Sequence, residues 1–328
     1  MTGKISFYIG LVVLGLAFTG CGLPADVEPV ENDETGPLED YTITFPGLGG
    51  TSGDVTFELA ATIAPVENIL MVYQVKKQEI TPDMVIEIGR RLGFQGDAGF
   101  IDRETKIAML DEQEDEVRQL SVWVNSGAIE YAIVSPDKLF QPSPNLPSQE
   151  EAKLIALQFL TEADLLPDNA ITESIEVVSG GSVSGVKETE EGMVEVKENI
   201  SHWLVRFPRQ IDGLPVANSG GNTLAVRIGD RGEVINVFKL WREVEPYGEV
   251  ELVSPQQAYQ ELISGAGKRY APFDCDRVII EQVNLTYWME PIDQQQEYVV
   301  PVYEFEGKCL DKNGDVMDDY TGWTEATK

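Results

Sequence analysis

Side chains able to do acid–base or nucleophilic chemistry are scarce in this chain, because it contains a single histidine, His202. A histidine-based catalytic triad needs an oriented base beside a nucleophile. The adjacent hydroxyl belongs to Ser201, but neighbouring side chains of a predicted strand point to opposite faces. We therefore expect His202 to line a sheet face or to be partly buried, and not to act as a general base.

One loop gathers side chains that could hold a hard cation. Asp311, Asn313 and Asp315 alternate along it, and alternating oxygen ligands suit calcium. The spacing differs from that of an EF-hand, since Gly314 comes too early and no glutamate closes the loop. We expect a solvated hairpin tip here, with a weak calcium site as the alternative.

No cofactor or zinc site is expected elsewhere. The single histidine lies far in sequence from the downstream cysteines, so the local ligand spacing of a zinc site is missing. The segment Gly47–Gly50 is rich in glycine, but it lacks the Lys-Ser/Thr ending of a phosphate-binding loop.

The acidic residues set a further limit on function. The chain has 56 acidic and 24 basic residues and a formal net charge of −32. Such a surface is a poor partner for nucleic acid, whose phosphates are bound by Lys and Arg, and it repels anionic headgroups. Chance pairs of carboxylates leave a carboxylate-based hydrolase as an alternative function. The acidity also leaves a small-molecule or cation-binding protein as another.

The N-terminal segment ends at a cysteine whose thiol has a specific chemistry. Lys4 precedes an apolar run, Ile5 to Phe18, which is short for a transmembrane helix but suits the apolar region of a signal peptide. The residues Phe18-Thr19-Gly20-Cys21 resemble a bacterial-type lipoprotein signal. The resemblance implies a signal peptide over residues 1–20, a lipidated Cys21 with diacylglycerol and palmitate, and attachment to the extracytoplasmic face of the cell membrane. An ordinary cleaved signal and an uncleaved anchor are the alternatives.

Two further pairs of residues could be modified covalently. Cys275 and Cys309 form an even pair, which in an exported protein predicts a disulfide worth roughly 3 kcal/mol. Two unrelated buried thiols are the alternative. Asn199 and Asn284 each open a glycosylation sequon, which is used only in a host with the machinery.

The composition changes along the chain predict its organisation. Residues 21–54 are predicted to hold the lipidated cysteine that the signal resemblance implies, followed by an acidic disordered tether, since the segment is rich in Pro, Glu, Asp and Gly. An N-terminal domain is predicted over residues 55–141. A proline-rich boundary follows, and a C-terminal domain is predicted over residues 146–328.

Three capping signals predict helices that precede runs of strands. Thr81-Pro82 opens the first helix, and Ser148 with Glu151 forms a capping box for the second. Ser254-Pro255 opens the third in the same way. Alternating or apolar runs predict strands at Ile69–Val75, Leu120–Val124, Ala128–Val134, Trp203–Phe207, Leu224–Ile228, Val234–Trp241, Val278–Trp288 and Tyr298–Phe305.

The central part of the chain carries a family resemblance. The residues that carry it are Val205-Arg206-Phe207, Ile211-Asp212-Gly213-Leu214-Pro215-Val216, Val226-Arg227-Ile228 and Gly232-Glu233-Val234-Ile235. This segment looks like the PepSY pattern, and the residues from Ser254 onward resemble a second unit of tandem PepSY-like proteins. Extracytoplasmic regulators of the YycH and YycI type are a more distant similarity. The resemblance implies a helix on a small antiparallel sheet, with peptidase inhibition or protein binding as activity and no catalytic residues.

We therefore expect an α+β fold of tandem units, each with one helix packed on a small antiparallel sheet. The function predicted is that of a non-enzymatic, membrane-anchored protein that binds a protein or peptide through sheet faces or strand edges. The residues named for binding are Asp212 and Gly213 at the corner, with Trp203, Trp241 and Trp288. Core packing is the alternative role for each tryptophan.

Overall fold

The computed structural model describes residues 55–62, 68–113, 116–135, 138, 143–180, 182–189, 192–217, 223–265, 268–270 and 275–328. The predicted signal peptide, Cys21 and the predicted tether lie outside the described residues. Three α-helices are found in the described part: α1 (Pro82–Arg91), α2 (Gln149–Glu162) and α3 (Pro255–Ser264). None of them is long and apolar enough to cross a membrane.

The strands, in chain order, are β1 (Thr56–Leu59), β2 (Ile69–Val75), β3 (Gly99–Ile101), β4 (Lys106–Gln113), β5 (Glu116–Trp123), β6 (Ile129–Val134), β7 (Glu176–Ser179), β8 (Ser182–Thr189), β9 (Gly192–Ile200), β10 (Trp203–Arg206), β11 (Gln210–Ile211), β12 (Leu214–Pro215), β13 (Thr223–Ile228), β14 (Val234–Leu240), β15 (Val244–Glu251), β16 (Lys268–Tyr270), β17 (Arg277–Tyr287), β18 (Tyr298–Val299), β19 (Pro301–Leu310) and β20 (Val316–Glu325).

The largest sheet has eight strands in the order β3-β4-β5-β6-β14-β13-β10-β7, and all of its pairings are antiparallel. Helices α1 and α2 share one apolar core with it. The two halves of the sheet join where β6 pairs with β14, from Ile129 opposite Lys239 to Ala132 opposite Asn236. Tyr131, in this joint, contacts Phe94 beyond α1 and Phe159 of α2, so one ring connects the two helices.

The other strands form two two-stranded sheets, β8–β9 and β11–β12, and two larger sheets that pack together. A five-stranded sheet has the order β1-β17-β19-β20-β16, and α3 shares its core. A three-stranded sheet has β2 at its centre, between β15 and β18. The Cys275 and Cys309 sulfur atoms lie at disulfide distance, with Cα atoms 5.6 Å apart, at the end of the β17–β19 pairing.

The predicted helix starts are confirmed. The side chains of Thr81 and Ser254 accept hydrogen bonds from the first turns of α1 and α3. Ser148 and Glu151 form the predicted capping box, in which each side chain accepts from the other residue's backbone N–H. These bonds satisfy donors that the helix itself cannot pair.

The predicted fold class of tandem one-helix units on small sheets is wrong. One eight-stranded sheet carries two helices, and it takes strands from both sides of the predicted 141–146 boundary. The β1–β17 pairing is also parallel, not antiparallel. Hydrophobic periodicity predicts strands but not which strand edges meet, and the open edges of β6 and β14 satisfy their backbone groups by pairing with each other.

Candidate functional site

A polar cleft of about 800 Å³ opens where the three-stranded sheet meets the large sheet. Four segments line it, and we name it the strand-end cleft: Val75–Gln78, Val124–Gly127, Trp241–Glu243 and Gln295–Glu297. The volume lies within the usual range for ligand pockets.

The cleft lies where the chain continues past the end of β2, from Lys76 to Ile80, without a turn or bend. The Val75 N–H donates to the Glu297 carbonyl on one side at 2.8 Å, and the Lys76 N–H donates to the Glu243 carbonyl on the other at 2.9 Å. Beyond Lys76 the two neighbouring strands diverge. Within the described residues, the backbone groups of Lys77 and Gln78 form no hydrogen bond. The chain thus presents a short extended segment with open hydrogen-bonding groups to solvent.

One wall of the cleft is fixed by the buried guanidinium of Arg242. Its Nη1 donates to the Glu290 carbonyl at 2.6 Å, and its Nη2 donates to the carbonyls of Pro291 and Gln294 at 2.9 Å each. Burial lowers the pKa of Arg242 to about 10, so the group stays charged at neutral pH. The loop between β17 and β18 is held by this cation, since hydrogen bonds from a charged donor are the stronger kind.

The amide of Gln296 fixes the same wall from inside the loop. Its oxygen accepts from the Glu290 N–H, and its nitrogen donates to the carbonyls of Trp288 and Tyr298, all at 3.0 Å. The Asn125 side chain connects the facing turn to this loop by donating to the Asp293 carbonyl at 3.4 Å. The walls are therefore formed before any ligand arrives, which reduces the ordering cost of binding.

Three basic side chains line the cleft although the chain is strongly acidic. Lys76, Lys77 and Arg242 face two carboxylates, those of Glu243 and Glu297. Lys76 Nζ lies 3.9 Å from Glu243 Oε2, and both side chains are at least half exposed, so this ion pair is weak. Lys77 is exposed and has no ion pair within the described part of the chain. Its ammonium group is available to a ligand.

Two tyrosines lie beside the cleft on the outer face of the three-stranded sheet. Tyr298 follows the lining residue Glu297 and pairs with Gln74 of β2. Its ring centroid is 4.8 Å from that of Tyr247, which is 47% exposed. Tyr298 itself is half-buried, so the pair offers a ligand mainly the apolar area of the exposed Tyr247 ring.

Trp241 is the only residue of the sequence-based binding set that lines the cleft. Its Nε1 donates to Asn169 Oδ1 at 2.9 Å, and the Arg209 guanidinium lies 4.8 Å from its ring. Arg209 is buried and donates through Nη2 to the Arg242 carbonyl at 2.6 Å. Trp241 therefore supports the segment that carries Arg242.

The predicted corner at Asp212 and Gly213 is a tight hairpin turn between β11 and β12. Both residues have positive φ, 49° and 77°, as a type I′ turn requires. The Asp212 carboxylate accepts from the Tyr73 hydroxyl, and burial and this carboxylate raise the pKa of Tyr73. Tyr287 lies edge-on to Tyr73, and burial raises its pKa to about 12. These contacts fasten the hairpin onto the three-stranded sheet, away from the residues that line the cleft.

The other two tryptophans that were predicted to bind a partner, Trp203 and Trp288, lie in packed surroundings. Trp203 is partly buried against the large-sheet core, and its Nε1 donates to the Pro147 carbonyl at 2.8 Å. Trp288 is 1% exposed and lies edge-on to Trp323, with ring centroids 5.6 Å apart. Neither side chain lines the strand-end cleft.

The prediction that Ser201 and His202 point apart is wrong. Both residues precede β10, so strand alternation does not apply, and Ser201 Oγ lies 2.9 Å from His202 Nδ1. Both are buried, and Ser201 has no exposed surface. Burial, with a smaller contribution from Arg227, lowers the pKa of His202 to about 4. The pair is a neutral buried hydrogen bond that a substrate does not reach.

The acidic loop after β19 uses its carboxylate for its own turn. Asp311 Oδ1 accepts from the backbone N–H groups of Asn313 and Asp315, at 2.8 and 2.9 Å, and Oδ2 accepts from the Asn313 amide. These bonds lower the pKa of Asp311. In the described residues, no group of three or more His, Cys, Asp or Glu side chains could hold a metal ion. The second sequon asparagine, Asn284, donates to Glu306; Asn199 has no described side chain.

The sequence reasoning missed the residues that build the cleft. Arg242 and Gln296 act through loop carbonyls, and no local spacing marks such contacts. One signal was present, since Lys76 and Lys77 are adjacent cations in a chain with few basic residues.

Comparisons with known proteins give no family for this chain. No family model matches it, and no curated protein matches it. Among solved structures, an uncharacterized protein from Eubacterium rectale ATCC 33656 matches with 9% identity and a TM-score of 0.43. The match covers 79% of this chain and 85% of that chain. These values carry no inference about function, and the PepSY resemblance stays a prediction.

Proposed function

We propose that this chain is a lipid-anchored protein of the extracytoplasmic membrane face that binds a protein or peptide in the strand-end cleft without catalysing a reaction. The observation that carries the proposal is the unpaired backbone at Lys77 and Gln78 inside a preformed polar cleft. Open backbone groups of an extended strand are the usual partner of an added peptide strand.

The chemical character of the lining supports binding. Its side chains are amides, lysines, glutamates and an arginine whose guanidinium already binds three carbonyl groups. Amides and ammonium groups bind polar ligands by hydrogen bonds and charge. The N-terminal resemblance supports the membrane attachment, and an exported location supports a disulfide bond between Cys275 and Cys309.

A site-specific photo-crosslinker tests the proposal. We would place benzoylphenylalanine at Gln295, which is exposed in the cleft, and as a control at Gln158, which is exposed on α2. Irradiation of intact membranes is expected to give a discrete protein or peptide adduct at Gln295 and none at Gln158. The same adducts at both positions, or no adduct at either, would contradict the proposal.

A further inference from the structure

We infer that the ligand of the strand-end cleft is an extended acidic peptide segment, which adds as a strand to Lys77–Glu79 and places a carboxylate against the Lys77 ammonium group. This inference rests on the proposed function and names the binding mode and the class of ligand. The juxtaposition that carries it is an unpaired strand end and an unpaired cation in one cleft.

The backbone geometry specifies the strand addition. The N–H groups of Val75 and Lys76 point to opposite sides of β2, toward Glu297 and Glu243 respectively. Because the chain continues from Val75 to Ile80 without a turn or bend, alternation turns the Lys77 N–H to the side of Glu297, where it has no backbone partner among the described residues. A peptide entering there would accept a hydrogen bond from the Lys77 N–H, which β18 does not reach. It needs no rearrangement of the walls, because Arg242 and Gln296 already hold them.

The charges of the cleft and of the whole chain indicate that the ligand is acidic. The chain as a whole carries a net charge of −32, which repels an acidic ligand almost everywhere on its surface. The cleft differs through Lys77, an exposed cation without an ion pair among the described residues, whereas Glu243 pairs weakly with Lys76 and Glu290 acts on Arg242. The surrounding negative charge disfavours other contacts between an acidic segment and the body, so the Lys77 ammonium group is the favoured contact.

The adjacent tyrosines extend the surface available to the same peptide. Tyr247 and Tyr298 lie on the face of β2 that carries Gln74, and strand alternation puts Lys76 on that face as well. In an added strand, alternate side chains share one face. Apolar or aromatic residues placed alternately with the acidic residue would therefore contact this tyrosine pair.

Fluorescence anisotropy with defined peptides tests the inference on the full chain. The probes are fluorescein-labelled hexapeptides of alternating threonine and valine whose fourth residue is aspartate, asparagine or lysine. The aspartate peptide is expected to bind about tenfold more tightly than the lysine peptide at low salt, and less tightly as salt rises. N-methylation of one set of alternate amides should abolish binding, and methylation of the other set should not. Equal binding of all three peptides would overturn the inference, as would indifference to both methylations.

Charge reversal in the protein gives the matched control. Lys77→Glu should remove the preference for the aspartate peptide, whereas Lys312→Glu makes the same charge change at an exposed distant turn and should leave it intact. The crosslinker at Gln295 distinguishes a failure of the ligand class, an acidic peptide, from a failure of the proposed binding function. If it captures a native partner while no acidic peptide binds, the ligand class is wrong and the binding function stands. If it captures nothing and no peptide binds, both fall.

Discussion

Acidification should destabilise this protein through His202, whose imidazole is buried in its neutral form. Its ring contacts Ser201, it lies close to the backbone of Gly180, and the charge of Arg227 acts on it. Burial first, and the Arg227 charge second, lower the pKa of His202 from 6.5 to about 4. In the unfolded chain the pKa returns to its ordinary value.

This difference in pKa between the folded and unfolded states gives the sign and the size of the change in stability with pH. Between pH 6.5 and 4 the unfolded state binds more protons than the folded state, so the free energy of unfolding falls as pH falls. The stability is fully present above pH 6.5. At pH 5 the shift corresponds to about 2 kcal/mol, and we reduce this to about 1 kcal/mol because partial solvent screening weakens it.

Urea unfolding, followed by tryptophan fluorescence at constant ionic strength, measures the effect at pH 7.5, 6.5, 5.5 and 5.0. His202→Asn keeps a polar group near Ser201 but does not titrate, so we expect its stability to fall less between pH 7.5 and 5.0, by about 1 kcal/mol. Titrating carboxylates contribute equally to both proteins and cancel. Arg227→Gln should reduce the pH dependence only slightly, because burial is the larger cause. Parallel pH profiles for the wild-type protein and His202→Asn would refute the reasoning.

Three further predictions concern the fold, the anchor and the cleft wall. Gly307→Ala should cost at least about 3 kcal/mol in urea unfolding, because the added Cβ would collide with the Ile279 carbonyl, whereas Gly248→Ala meets open space and should be mild. Cys21→Ala should move the protein from the membrane fraction to the soluble fraction, and its persistence in membranes would contradict lipid anchoring. Arg242→Leu should lower the free energy of unfolding by about 3 kcal/mol, since three carbonyls lose their donor. It should also increase hydrogen exchange in the 290–296 loop, and unchanged exchange would contradict the role of Arg242 in holding that loop.

The local structure was predictable from the sequence to a large extent. Capping residues and apolar periodicity identified all three helices of the described part and the strand β2 with its bounds, because those signals act within a few residues. The turn at Gly213 followed from its need for positive φ.

The long-range arrangement was not predictable in the same way. The pairing of β6 with β14 depends on which edges meet in space, and periodicity carries no such information. The cleft was missed for a related reason, since Arg242 and Gln296 bind loop carbonyls that belong to another part of the chain. The Ser201–His202 contact was predicted wrongly because both residues precede β10, so the alternation of a strand does not apply to them.

The strand pairings also determine when the protein can fold during its synthesis. β1 pairs with β17, β2 lies between β15 and β18, and β6 pairs with β14. β1 and β2 therefore lack their partners, and β6 lacks one of its two, until most of the chain has left the ribosome. Such non-local pairing slows folding and leaves strand edges open to misassociation. The growing chain therefore keeps unpaired strand edges for much of its synthesis, and repulsion between its 56 acidic residues and those of other chains opposes misassociation during that time.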